Sequence, residues 1–165
     1  ILHSPHQRSA AAQRAILDRV AQARAQGSAA TLEAALERWF TAPFRHKNPD
    51  LMDLVRSWVL ANNQKLYHTI YRVLATGIDE ITSPTPAITC PTLIITGDED
   101  FGNGPDMARA IANDISDAEV HILTGLRHMA LAENPMAVTL PILRFLRAHL
   151  RTPETGQRTQ GNPHD

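Results

Sequence analysis

Cysteine is almost absent: Cys90 is the one example in 165 residues, so a disulfide within the chain is excluded. Charge of one sign is missing too. Sixteen basic residues, fourteen of them Arg, stand against 17 acidic ones for a net charge of −1, which removes a broad electrostatic footprint for nucleic acid or an anionic membrane. No apolar run approaches the roughly 18 residues of a membrane helix, and no charged-then-apolar leader opens the chain. Position 1 is Ile, so any targeting segment would precede it. With one cysteine and no leader, the cytoplasm is the default expectation. Glycine first occurs at Gly27, and no sequence period recurs, which excludes a repeat array. What is present is ordinary for a globular protein, 43% hydrophobic and 20% charged.

Residues 1 to about 80 read as helices. Ser4-Pro5 has the form of an N-cap with proline at the first helical position, and Gly27 is a stop, which predicts a helix over 5–26. Leu32, Ala35, Leu36, Trp39 and Phe40 make one apolar stripe. Asn48-Pro49 caps another helix, with Leu51, Leu54, Val55, Trp58 and Val59 on one face. A fourth starts at Asn62 or Asn63 and ends at Gly77, carrying Tyr67, Ile70, Tyr71 and Leu74.

The pattern changes near Ile81. A linker, Thr82-Ser83-Pro84-Thr85-Pro86, leads into Leu93-Ile94-Ile95, a continuous apolar run ended by Gly97 and typical of a strand buried on both faces of a parallel sheet. Gly104-Pro105 opens a helix bearing Met107, Ala110, Ile111 and Ile115. A second strand spans 118–123, and Asn134-Pro135 caps a helix carrying Val138, Ile142, Phe145 and Leu146. Pro141 predicts a kink in it, or a restart near Thr139, because an interior proline costs about 3 kcal/mol. From Arg151 the composition predicts a disordered tail. Two strands make an incomplete sheet, since each needs neighbours to pair its backbone groups.

In an open parallel sheet, functional groups occupy the loops beyond the carboxyl ends of the strands. Two loops hold that place, Gly97-Asp98-Glu99-Asp100 and Gly125-Leu126-Arg127-His128. If the strands are adjacent, Asp100 and His128 leave the same edge, within reach of a carboxylate–imidazole hydrogen bond.

The run Pro91-Thr92-Leu93-Ile94-Ile95-Thr96-Gly97-Asp98-Glu99-Asp100 is followed 28 positions after Asp100 by His128, within Gly125-Leu126-Arg127-His128-Met129-Ala130-Leu131-Ala132-Glu133-Asn134-Pro135. This pair of motifs resembles the C-terminal part of α/β-hydrolases, over about 86–148. The resemblance implies an α/β fold consisting of a helical lid (1–82), the last two parallel strands of the core with their helices (83–150), and the tail (151–165). It implies further that Asp100 orients His128, that His128 is general base and then general acid, and that no cofactor and no metal is needed. The substrate class implied is a small ester or lactone, as in the enol-lactonase and esterase branch. Oligomeric state stays open.

Chain order in that family is nucleophile, acid, histidine, with the nucleophile in G-x-S-x-G. None of Ser4, Ser9, Ser28, Ser57, Ser83 and Ser116 has glycine two residues before or after it, so the expectation is a chain without its nucleophile, and inactive alone. Cys90 has the right order but begins the strand that Asp100 follows, about 20 Å away at roughly 3.3 Å per residue. Two alternatives remain: a non-catalytic hydrolase-like binding module, or an aspartate nucleophile on the same scaffold, as in dehalogenases and epoxide hydrolases.

Other features read as structural. The 98–109 segment fails the calcium-loop pattern at Gly102, Asn103 and Arg109, and Gly102-Asn103-Gly104 lacks the third glycine of a dinucleotide fingerprint. His3 and His6 straddle the proposed cap with no cysteine or carboxylate cluster near them in sequence, and are read as no metal site. Trp39, Trp58 and Met129 are the candidates for a substrate pocket wall.

Overall fold

The computed structural model describes residues 1–78, 82 and 85–150. Ser83, Pro84 and the expected tail from Arg151 lie outside them. Two strands, β1 (Thr92–Gly97) and β2 (Ala118–Leu123), pair in parallel from Thr92 opposite Ala118 to Gly97 opposite Leu123. The crossover between them is α6 (Pro105–Asn113). Every residue of β1 is buried, as its uninterrupted apolar character predicts, whereas β2 is half-buried along most of its length.

The sheet also takes a residue from the far end of the chain. Leu2 bridges Ile94 in parallel on the other side of β1, its N–H donating to the Leu93 carbonyl at 2.7 Å and its carbonyl accepting from Ile95 N–H at 2.9 Å. Helices cover both faces. Ile94 packs with Ala108, Ile111 and Ile115 on one side; Ile95 and Leu123 pack with Leu126, Ala130 and Val138 on the other. Those last residues belong to the loop after β2, to α7 (Ala130–Glu133) and to α8 (Pro135–His149). Asn134 caps α8 by accepting from Ala137 N–H at 3.1 Å. This helix runs through Pro141 without restarting near Thr139, because side chains such as Val138 and Phe145 anchor it on either side of the missing N–H.

The helical layer holds α1 (Ala10–Gln26), α2 (Ala29–Trp39), α3 (Ala42–Lys47), α4 (Pro49–Leu60) and α5 (Gln64–Thr76). Three expectations change here. The first helix begins at Ala10 with Ser9 as N-cap, its hydroxyl accepting from Ala12 N–H at 3.2 Å, and not at Pro5. Residues 2–6 are drawn to the sheet side by the Leu2 bridge and by His6, whose Nε2 lies 2.7 Å from Asp114 Oδ2; this tertiary pairing overrides the local Ser-Pro signal. On α4 the buried face is Met52, Val55 and Val59, while Leu54 and Trp58 point outward. On α5 only Ala75 is buried, and Ile70 and Leu74 are exposed, so the predicted apolar stripe is largely open. The short α3, with Pro43 in its first turn, was not anticipated.

Leu32, Leu36, Phe40, Met52, Val55 and Val59 form the main helical core, and Phe40 is completely buried, a placement worth about 1.5–3 kcal/mol. Trp39, Phe44 and Met129 pack against it, so the loop after β2 is tied into the helical layer.

Candidate active site

Gly97, the last residue of β1, leaves no room for a side chain, which would strike the Leu126 carbonyl of the neighbouring loop. Gly125 turns the chain after β2 at φ +69°, a conformation glycine adopts without strain, and its N–H donates to Asp98 Oδ1 at 2.7 Å. The two loops thus leave the same sheet edge in backbone contact. Asp100 N–H closes the first turn onto the Gly97 carbonyl at 3.3 Å.

His128 Nδ1 lies 2.9 Å from Asp100 Oδ2. The Asp100 side chain is 2% exposed and saturated: Oδ1 accepts from Gly102 N–H at 2.8 Å and Asn103 N–H at 3.0 Å, and Oδ2 takes a second imidazole, His3 Nε2, at 3.0 Å. Burial alone would raise the Asp100 pKa. The hydrogen bonds from His128, His3 and the two backbone N–H groups outweigh it and hold the carboxyl well below the usual carboxylate range. An ionised carboxylate only accepts, so both facing ring nitrogens carry hydrogen, which leaves Nε2 of His128 as the unprotonated nitrogen of the neutral ring.

The His128 loop is braced from the helical layer. Met129 N–H donates to the Trp39 carbonyl at 2.9 Å, and Arg127 donates to the carbonyls of Glu37 at 2.6 Å and Phe40 at 3.3 Å. Arg127 also pairs with Glu99 at 3.2 Å and sits over the Phe101 ring. Glu133 takes Thr41 N–H at 2.9 Å and the Thr41 hydroxyl at 2.6 Å.

Of the residues singled out from sequence, Asp100 and His128 are together. Trp39 and Met129 are half-buried against the helical core, beside the His128 loop. Trp58 is 58% exposed, on the outward face of α4. Cys90 is exposed and precedes β1, which starts at Thr92, so it sits at the opposite end of the strand from Asp100. His3 is the residue that sequence reasoning missed; its one local signal is the apolar pair Ile1-Leu2 ahead of it, too short to register as the end of a strand. His3, Asp100 and His128 offer one nitrogen or oxygen each within 4.8 Å, a donor set that a divalent cation could take, although spacings of 2.9 and 3.0 Å about one oxygen are those of shared protons.

No family model matches the chain. Its fold matches the crystal structure of the enol-lactonase from Burkholderia xenovorans LB400 with a TM-score of 0.72 and 25% identity, over 81% of this chain and 50% of that one. The chain has the α/β-hydrolase fold, in its C-terminal part. Another α/β-hydrolase-like match is a thermophilic esterase from Thermogutta terrifontis, with a TM-score of 0.71 and 22% identity over 89% of this chain and 54% of that one. In sequence, the chain is 28% identical over 146 residues to (E)-2-((N-methylformamido)methylene)succinate hydrolase of Acinetobacter baylyi. It spans about half the length of that relative, 54%. Within the α/β-hydrolase fold, β1 and β2 are the strands whose carboxyl ends carry the Asp100 and His128 loops. Among the described residues, no helix is long and apolar enough to cross a membrane.

Proposed function

We propose that this chain supplies the acid and the histidine of a hydrolase that cleaves a small ester or lactone by acyl transfer. One observation carries the reading: at the carboxyl edge of two parallel strands, a buried, ionised Asp100 accepts Nδ1–H of a half-exposed His128. Asp100 fixes the ring so that Nε2 is free to take a proton, and it stabilises the imidazolium that results. The attacking hydroxyl comes from outside these 165 residues, since no serine here has the glycine spacing of a nucleophile elbow. That hydroxyl adds to the substrate carbonyl as His128 Nε2 accepts its proton. The tetrahedral intermediate then collapses, and the departing oxygen receives the proton back from His128. Water, deprotonated by His128, next attacks the acyl group; the acid is released and the hydroxyl is restored. Trp39 and Met129, beside the His128 loop, are the candidates to line the substrate's approach.

The test is hydrolysis of p-nitrophenyl esters and small lactones by the full-length protein that contains this chain. His128→Ala is expected to lower kcat/KM by roughly 10²–10⁴-fold. A rate within a few-fold of wild type removes His128 as the base. The 165-residue chain alone is expected to show no turnover above buffer.

A further inference from the structure

Two imidazoles share one carboxylate oxygen. His3 Nε2 and His128 Nδ1 approach Asp100 Oδ2 at 3.0 and 2.9 Å, and the two rings lie 4.9 Å apart between centroids at 49°. His3 reaches this place from the opposite end of the chain because Leu2, one residue before it, is hydrogen-bonded into the edge of β1. The other charged groups of these loops are engaged elsewhere: Asp98 with Gly125 N–H, and Glu99 with Arg127. On α6, Asp106 and Arg109 pair with each other, and Asp114 just past its end pairs with His6 of the His3 segment. The titratable groups His3 itself contacts are Asp100 and His128.

We propose that His3 is a positioning residue for His128, acting through Asp100. By donating Nε2–H to the oxygen that serves His128, it holds that oxygen in place and divides the carboxylate's support between two rings. The Asp100–His128 bond keeps its direction, but the carboxylate stabilises the cationic form of His128 less than it would alone. A proton added to His3 places a like charge beside the His128 ring and opposes its protonation further. That His128 acts as a base rests on the hydrolytic reading; the hydrogen bond and the tautomers do not.

Two measurements separate these levels. Long-range ¹H–¹⁵N correlation spectra of the protein should show His3 as the Nε2–H tautomer and His128 as the Nδ1–H tautomer; His3 in the Nδ1–H form overturns the proposal and needs no variant. In His3→Leu, the His128 titration midpoint should move up by roughly 0.5–1 pH unit, while His3→Gln, which keeps an N–H donor, should move it less. In the full-length protein the acid limb of kcat/KM should shift the same way, with KM little changed, whereas a general loss of structure would lower the rate at every pH without moving the limb. An unmoved midpoint in His3→Leu overturns the inference. Zn²⁺ that shifts both rings at micromolar concentration, with the effect lost in His3→Leu, overturns it in favour of a cation site. If turnover is absent while the NMR results hold, the hydrolytic reading fails and the hydrogen-bond inference stands.

Discussion

Asp100 has four donors on two oxygens and almost no contact with water, so its charge is held by geometry fixed only in the folded chain. A carboxyl held below its unfolded value stabilises the fold at every pH above that value, and the stabilisation is lost as pH falls through the folded value. Asp100→Asn is expected to destabilise by roughly 1–3 kcal/mol at neutral pH, since the amide cannot accept from all four donors. In urea unfolding, the gap between wild type and Asp100→Asn should be widest at pH 7 and narrow as pH drops below about 4, where the unfolded carboxyl takes up its proton. A gap independent of pH sinks this account. Such a carboxylate was legible as half of a pair, from its place after a buried strand and 28 positions before His128. Its other imidazole was not legible, because His3 lies 97 positions away and no local pattern encodes that distance.

Among the elements, the contact between the two loops depends on Gly97 lying against the backbone of Leu126, the residue two before His128. Gly97→Ala must push that loop away. The expected cost is roughly 1–3 kcal/mol, measured by chemical denaturation, with a fall in the full-length protein's turnover because the Asp100–His128 spacing opens. Unchanged stability and turnover would show that the loops have room to give. The strands were readable from a continuous apolar run and a glycine stop; the helices were readable as helices but not in their rotation. Trp58 and Val59 are neighbours that fit the same predicted stripe, yet Val59 is in the core and Trp58 is 58% exposed. Periodicity says that a face exists, and packing against α2 decides which flank of it is covered.

At the scale of the whole molecule, apolar side chains remain open to solvent in the helical layer. Ile70 is 68% exposed and Val73 is 62% exposed on α5, with Trp58 and Leu60 on α4. Among the described residues the sheet has two strands and a single bridging residue beside β1, while the relatives that share the fold carry about as much chain again. The 165-residue chain, expressed alone, is therefore expected to self-associate and to bind a hydrophobic dye. Sedimentation velocity reads this directly, and a monodisperse monomer that unfolds cooperatively counts against it.

Local rules written into the sequence determined the helical first half, the parallel strand pair, the glycine turns and the two loops that bear Asp100 and His128. Each depends on neighbours within a few positions: apolar period, cap residue, φ preference. The tertiary structure alone decided what joins distant segments: Leu2 entering the sheet, His3 reaching Asp100, and Trp39 holding the His128 loop through its carbonyl. The physical reason is common to all three. A hydrogen bond or a buried face needs a partner, and which distant residue supplies it is settled by how the layers pack, not by any pattern along the chain.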